Sequence, residues 1–319
     1  MSRIDAYSDG IHAIDSSYQR PCMAAIHLIV ENGRAALVDS ASAHAVPQVL
    51  TALHEAGLTP ESVDWLLLTH VHLDHAGGAG ALLQALPNAR LVVHPRGATH
   101  MIAPDKLWAS TVAVYGEAEA RALYGDIVAV PADRVLAADD GLIIDLAGRR
   151  IEVLDTPGHA RHHVCYFDQR SRGCFTGDAF GLSYRETDAG GRAFVFPATT
   201  PVQFEPEAMH ASIDRILARQ PECLFLTHYG RVGEPARLGA DLHRLIDDSV
   251  AIARASHGLT GDAQFQALRA ALATLLRQEA AEHRWGLQEE ALVALYGPDL
   301  DLNAQGLQHW LARELREPA

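Results

Sequence analysis

The stretch Asp64–Leu82 reads DWLLLTHVHLDHAGGAGAL, and it places three histidines and an aspartate within six positions directly after an apolar run. Such a continuous apolar run predicts a β-strand that is buried on both faces. His70 and His72 are two residues apart, so on leaving the strand their side chains point to the same side. Imidazole and carboxylate groups suit zinc, manganese or ferrous iron, and no cysteine lies nearby to form a purely structural zinc site. The stretch therefore predicts a metal site that includes His70, His72, Asp74 and His75.

Three later segments repeat the same arrangement, an apolar strand that ends in a potential metal ligand. IEVLDTPGH ends at His159, GCFTGD ends at Asp178, and CLFLTH ends at His228. If the four strand ends meet at one rim, they gather five histidines and two aspartates. This set suits two metal ions that share a carboxylate, and it exceeds the four ligands of a single tetrahedral ion.

The order of the segments predicts a layered α/β architecture. Over the first two-thirds of the chain, short β-type runs alternate with helical segments. Ala24–Val30 and Arg34–Ser40 are separated by the turn sequence ENG and predict a hairpin. After about Glu234, apolar residues recur at three- and four-residue spacing, which indicates helices. We therefore predict a catalytic domain over residues 1–234 and a helical C-terminal subdomain over residues 235–319.

The final segment, LNAQGLQHWLARELRE, predicts one more helix. Asn303 is a candidate N-cap for it. An apolar stripe follows, formed by Leu307, Trp310, Leu311 and Leu315. Such a stripe either packs over the core, as a structural cap, or forms the interface of a homodimer.

Composition narrows the possible partners. The chain has 319 residues, of which 48% are hydrophobic and 21% are charged, so it is expected to be globular. Its net charge is −14 and it has no run of lysine or arginine, which disfavours nucleic acid and membrane surfaces as partners. We see no signal peptide, no run long enough to cross a bilayer and no C-x-x-C pair. We therefore expect a cytoplasmic protein that acts on a small-molecule substrate.

At this point the motifs THVHLDHAGG, DTPGH, FTGD and FLTHYG resemble those of the metallo-β-lactamase-fold hydrolases, over about residues 26–230. The resemblance implies a four-layered αββα sandwich with a dinuclear metal site between its two sheets. It also implies the assignment of the ligands: His70, His72 and His159 to the first ion, Asp74, His75 and His228 to the second, and Asp178 as the bridge. Asp39 and His163 match family positions that support the ligands without binding metal.

The resemblance further implies the chemistry. Two divalent ions, expected to be Zn²⁺ with Mn²⁺ or Fe²⁺ as alternatives, lower the pKa of a bridging water and so provide hydroxide near neutral pH. This hydroxide would attack a small ester, lactone or thioester, with Asp74 orienting it. Tyr184 and Tyr229 lie just beyond two of the ligands and are candidate donors to the developing oxyanion. The alternative for both tyrosines is that they only pack the loops.

The sequence motifs do not decide between two classes of substrate. The motifs TPGH and FTGD favour a glyoxalase-II-like thioesterase, but the basic patch that such an enzyme uses for glutathione is not evident. The motif HVHLDHAGG favours a lactonase. The insertion Ala103–Asp126 predicts a helical flap whose apolar residues would suit an acyl chain.

Two other classes of protein remain as alternatives. A mononuclear iron persulfide dioxygenase uses a related framework in which only part of the ligand set binds metal. A metal-stabilised binding protein without catalysis is the third interpretation. All seven ligand positions are filled in this chain, which favours the dinuclear hydrolase.

Overall fold

The computed structural model describes residues 3–200 and 202–316, and within them the first sheet has seven strands. Their spatial order is the same as their order in the chain. Strands β1 to β4 pair antiparallel, whereas β4 to β7 pair parallel. The strands are β1 (Ile4–Ala6), β2 (Ile11–Asp15), β3 (Ala25–Glu31), β4 (Arg34–Val38), β5 (Val63–Leu67), β6 (Arg90–Val93) and β7 (Val135–Ala137). The predicted hairpin is confirmed as β3 and β4, which pair antiparallel.

The second sheet has six strands among the same residues, and they follow each other in reverse chain order. All neighbours pair antiparallel except the parallel pair formed by the fourth and fifth strands along the chain. The strands are β8 (Ile143–Leu146), β9 (Arg149–Asp155), β10 (Val164–Asp168), β11 (Gly173–Gly177), β12 (Cys223–Leu226) and β13 (Gly230–Val232).

The two sheets pack face to face through a buried apolar core. Ile29, Val38 and Leu67 from the first sheet lie in one cluster with Tyr166 and Phe175 from the second. Side chains on these faces lose contact with water on folding, and this burial is the main term that holds the sheets together.

Helices cover the outer faces of both sheets and complete the predicted four-layered αββα sandwich. The first sheet packs against α1 (Val46–Glu55), α2 (Leu73–Ala76), α3 (Ala79–Ala85) and α4 (Pro95–Ile102). The insertion after α4 is helical, as predicted, and consists of α5 (Asp105–Tyr115) and α6 (Glu117–Tyr124). The second sheet packs against α7 (Pro206–Ala218) and the C-terminal helices.

The C-terminal region forms three long helices, α8 (Pro235–Ala255), α9 (Gly261–His283) and α10 (Glu289–Glu314). They share one apolar cluster with α7 and with the second sheet. In the described part of the chain, no helix is long and apolar enough to cross a membrane.

Two predictions about the last helix are wrong. Asn303 lies in the middle of α10 and is not an N-cap, because the helix begins at Glu289 and continues through Pro298. Leu315 is 56% exposed and does not belong to the apolar stripe, whereas Leu307, Trp310 and Leu311 are buried.

Candidate metal centre

The predicted ligands follow the carboxyl ends of four strands, which the sandwich brings to one rim. His70 comes three residues after β5, His159 comes four after β9, Asp178 follows β11 directly, and His228 comes two residues after β12. His72, Asp74 and His75 lie at the start of α2, which begins at Leu73. The sheets hold these short connections rigidly, so the side chains are positioned by backbone that is itself fixed.

The first group consists of His70, His72 and His159, whose ring nitrogens face one another. His70 Nε2 lies 2.9 Å from His72 Nδ1, and His159 Nε2 lies 3.1 Å from the same atom. His70 and His159 are buried and His72 is half-buried. Three imidazole nitrogens converging in this way are a common ligand set for zinc.

The second group consists of Asp74, His75 and His228. Asp74 Oδ2 lies 3.6 Å from His75 Nε2 and 3.4 Å from His228 Nε2. Asp178 lies between the two groups. Its Oδ1 is 3.3 Å from His75 Nε2, and its Oδ2 is 3.4 Å from His159 Nε2.

Two atoms of this cluster show that the residues suit metal ions. His75 Nε2 and Asp178 Oδ1 are buried and have no hydrogen-bond partner among the described residues. A buried polar atom without a partner is costly and requires an explanation. Because both atoms face the other ligand atoms, metal coordination would satisfy them, and the donor set of nitrogen and oxygen fits zinc, manganese or iron.

The pKa values of the first group also favour metal binding. Burial, together with the imidazoles of His159 and His162, lowers the pKa of His72 to about 3. Burial and the neighbouring His75 and His72 lower the pKa of His70 well below its usual range. These rings are therefore neutral at physiological pH, which is the form that binds metal.

The second group has the opposite electrostatics. Burial alone would lower the pKa of His75, but the carboxylates of Asp178, Asp74 and Asp39 raise it well above its usual range. In return, although burial opposes it, His75 and His159 hold the pKa of the Asp178 carboxyl well below its usual range. The carboxylates therefore provide the negative charge that a dication at this position needs.

Asp39 orients the second group through hydrogen bonds to His75 and to neighbouring residues. Its Oδ2 accepts hydrogen bonds from His75 Nδ1 and from the Thr227 hydroxyl, both at 2.8 Å. Its Oδ1 accepts from the backbone N–H of Thr69 at 2.8 Å. The carboxylate thus connects the segments that carry His70, His75 and His228, and it directs His75 Nε2 toward the other ligands.

Backbone carbonyls and a neighbouring histidine hold three further ligands. His159 Nδ1 lies 2.9 Å from Ala198 O, and His228 Nδ1 lies 2.8 Å from Met23 O. The backbone N–H of Asp178 donates to His163 Nε2 at 3.3 Å. His163 therefore contacts a ligand without joining the cluster itself, as the resemblance implied.

Gly177 allows Asp178 to approach the cluster. Its φ is +46°, and a Cβ at this position would lie 2.6 Å from Thr69 Oγ1 and 2.7 Å from His163 Nε2. Any side chain would displace both neighbours, so the TGD motif requires glycine before the bridging carboxylate.

The structure places the two candidate catalytic tyrosines away from the cluster. The hydroxyl of Tyr184 donates to Asp299 Oδ2 at 3.0 Å, and that of Tyr229 donates to Asp5 Oδ2 at 3.2 Å. Neither residue is among those that line the cavity over the cluster. The sequence identified tyrosines near the ligands in the chain, but their hydroxyls point to other partners.

A cavity of about 350 Å³ is lined by four of the candidate ligands, His72, Asp74, Asp178 and His228. The predicted flap contributes to it through α5 and α6, with Leu107 and Tyr115 among its residues. Tyr18 and Tyr124 also line it, and their hydroxyls are 2.9 Å apart. The C-terminal helix α10 contributes the residues Pro298, Asp299, Leu302, Asn303, Gln305 and His309.

Asp299 is the unusual member of this wall. It is 7% exposed, and burial raises the pKa of its carboxyl to about 7, although the positive charges of His228 and Arg20 act against the shift. Tyr18 and Asp299 carried no sequence pattern that marks a site, because each lies far in the chain from the ligand motifs, whereas Tyr124 belongs to the insertion that the sequence predicts as a flap.

Curated proteins similar to this chain include a metallo-beta-lactamase-fold protein and several hydrolases. The metallo-beta-lactamase fold-containing protein ST1585 of Sulfurisphaera tokodaii is 28% identical over 195 residues, which are 57% of this chain and 70% of that protein. The hydroxyacylglutathione hydrolase of Acidiphilium cryptum is 31% identical over 201 residues, and that of Aeromonas hydrophila is 30% identical over 200 residues. Each match covers 62% of this chain and about three-fifths of the hydrolase, 61% and 58% respectively.

Solved structures share the fold over nearly the whole chain. The metallo-beta-lactamase family protein TTHA1429 of Thermus thermophilus superposes with a TM-score of 0.68 at 19% identity, covering 96% of this chain and 94% of that one. The structure of ST1585 superposes with a TM-score of 0.64 at 20% identity, covering 95% and 99%. The family model described as the metallo-beta-lactamase superfamily matches residues 20–228, which include every residue of the cluster. This chain belongs to the metallo-beta-lactamase superfamily.

Proposed function

We propose that this protein is a dinuclear metal-dependent hydrolase that cleaves a small ester, lactone or thioester. The observation that carries the proposal is the position of Asp178, whose two carboxylate oxygens face different ligand groups. Oδ2 lies 3.4 Å from His159 Nε2 in the first group, and Oδ1 lies 3.3 Å from His75 Nε2 in the second. A carboxylate in this position could serve two ions at once.

Zn²⁺ is the first candidate for both ions, with Mn²⁺ or Fe²⁺ as alternatives, because the ligand set is imidazole and carboxylate. When bound, two such ions supply a nucleophile from water at neutral pH and polarise the scissile carbonyl. His70, His72 and His159 would hold one ion, and Asp74, His75 and His228 the other.

The chain's own residues define the remaining tasks. Asp74 has a side chain that is 25% exposed, in contrast to the buried His75, and it lines the cavity. It can therefore hold an ion with one oxygen and accept a hydrogen bond from the attacking water with the other. Asp39 keeps His75 in the orientation that directs Nε2 toward the other candidate ligands.

The cavity supports a small substrate. Its volume of about 350 Å³ suits a molecule of modest size, and Leu107, Leu182 and Val202 provide apolar contacts for an acyl group. The hydrolase names of two curated relatives support hydrolysis as the reaction.

The test combines metal content with turnover. Purified protein is analysed for metal per chain and then assayed with lactones, thioesters and simple esters, before and after treatment with a chelator. About two ions per chain, with hydrolysis that disappears on chelation and returns with Zn²⁺ or Mn²⁺, is the expected result. A single iron with oxygen uptake on a persulfide would overturn the proposal in favour of the mononuclear dioxygenase.

A further inference from the structure

Asp299 lies outside the metal cluster, and it is one of the polar residues that line the cavity together with several candidate ligands. It comes from α10, and it is buried to more than nine-tenths while lining the cavity. Tyr184 donates to Oδ2 at 3.0 Å, which fixes the orientation of the carboxyl. Oδ1 has no hydrogen-bond partner among the described residues and is available to a ligand.

The packing around Tyr184 shows that this orientation is held firmly. Tyr184 is fully buried, and its ring packs against that of Tyr296 with centroids 5.1 Å apart. The guanidinium of Arg20 lies 4.3 Å from the centre of the Tyr184 ring, and its Nη1 donates to Pro21 O and to Glu186. Arg20 therefore supports the tyrosine but is not itself part of the cavity lining.

The cavity lining contains carboxyl groups but, in the part that the structure describes, lacks the lysine and arginine side chains that would bind an anion. In the described part of the chain, no lysine or arginine lines the cavity, while Asp299 adds a carboxyl to the wall. An anionic substrate would meet no lysine or arginine among the described residues of this lining and would face the carboxyl of Asp299. A group with an N–H or O–H donor, or an ammonium, would instead complete the hydrogen bonding of Oδ1.

We propose that Asp299 determines substrate specificity by accepting a hydrogen bond from a donor group on the acyl part of the substrate. The cavity then selects esters, lactones or thioesters whose acyl part is cationic or carries an uncharged donor, and it disfavours substrates with carboxylate or phosphate groups there. Tyr184 acts as the positioning residue for Asp299. This inference rests on the proposed hydrolase function and narrows its substrate class.

The test uses three matched 4-nitrophenyl esters, of 6-aminohexanoic acid, hexanoic acid and adipic acid, which place an ammonium, a methyl or a carboxylate at the end of the acyl chain. The assay runs at pH 8, above the pKa of about 7 that burial gives Asp299. The wild type is expected to show a kcat/KM for the ammonium ester about tenfold or more above that for the carboxylate ester.

Variants assign the preference to Asp299. Asp299→Asn is expected to reduce the ratio of kcat/KM for the ammonium ester to kcat/KM for the carboxylate ester about fivefold or more. The change should come mainly from KM, with unchanged metal content. Tyr184→Phe should reduce it by a smaller factor. Asp301→Asn is the matched control, because it removes a carboxyl from the same helix outside the cavity lining, where Asp301 pairs with Arg269.

The outcomes separate this inference from the hydrolase proposal. If no ester, lactone or thioester is hydrolysed in a metal-dependent way, the hydrolase proposal fails and the inference with it. If the hexanoate ester is hydrolysed but the wild type has the same kcat/KM for the carboxylate ester as for the ammonium ester, only the specificity role is refuted. A second measurement needs no variant: 6-aminohexanoate should inhibit hydrolysis of the hexanoate ester more strongly than adipate does, because both offer the same carboxylate to the metal ions and differ only at the other end. The reverse order contradicts the role.

Discussion

The side chain of Asn303 accepts a hydrogen bond from the backbone N–H of Thr199 at 2.8 Å, across 104 residues of sequence. The same amide group donates to Pro197 O at 2.8 Å. The segment held in this way carries Ala198, whose carbonyl lies 2.9 Å from Nδ1 of the ligand His159. The C-terminal helix is thus connected to the metal cluster through one short loop.

Replacing Asn303 by alanine is expected to loosen this loop and weaken the first metal group. Two buried backbone groups lose their partner, so unfolding of the metal-free protein should require about 1–3 kcal/mol less free energy. Metal affinity, measured by competition with a chromophoric chelator, should fall for one of the two ions. Gln308→Ala, on a more exposed part of the same helix, is the control. Unchanged metal affinity in Asn303→Ala would show that the loop does not depend on α10.

Replacing Asp178 by alanine tests the bridge. Because its two oxygens face separate groups, its loss should lower bound metal below two per chain and abolish hydrolysis. Metal analysis and an ester assay check both outcomes. Asp140→Ala removes an exposed carboxylate that pairs with Arg215 and serves as the control. Full activity in Asp178→Ala would refute the assignment of the bridge.

The variant Asp39→Asn tests the orientation of His75. An amide in place of the carboxylate can no longer accept from both Thr227 and His75 through the same charged oxygen, so His75 loses its fixed orientation. Such changes commonly reduce metal affinity about 10- to 100-fold. Titration of the metal-free protein with Zn²⁺ measures the effect. Equal affinity in variant and wild type would assign Asp39 to folding alone.

Asp299 should make the metal-free protein less stable as the pH rises. Its folded pKa of about 7 lies above the unfolded value, so between the two values the folded state holds a proton that the unfolded state has lost. The contribution of Asp299 to stability is therefore largest at low pH and is lost as the pH rises through the folded pKa of about 7, by about 3 kcal/mol between pH 5 and pH 8. In Asp299→Asn this loss is absent. Urea unfolding with a chelator at each pH measures the difference, and parallel curves for variant and wild type would contradict the prediction.

Removing the chain after Pro298 should expose the apolar surface that α10 covers. Leu307, Trp310 and Leu311 are buried against the shared core, and their loss leaves that core open to water. We expect aggregation by light scattering and binding of a hydrophobic dye. A control deletes only residues 317–319. If the truncated protein stayed monodisperse and equally stable, α10 would not be needed to cover the core.

The local sequence was sufficient to identify the candidate ligands that the structure brings together, because their motifs follow apolar strands. The motif that contains His70, His72, Asp74 and His75 spans six residues, and its geometry depends on one strand and the helix that follows it. The hairpin of β3 and β4 and the layered fold were predictable for the same reason, since strand patterns and turn residues act over short distances. The boundaries of α10 were not, because packing against the shared core continues the helix through Pro298.

The amino-acid sequence by itself thus determined the fold class and the set of candidate ligands, which depend on contacts between near neighbours. Only the tertiary structure decided what surrounds them. Tyr184 looked like a catalytic donor from its place behind Asp178, but its hydroxyl bonds to Asp299, which is 115 residues away. That choice depends on how α10 packs against the sandwich, and no local pattern encodes a contact of this range.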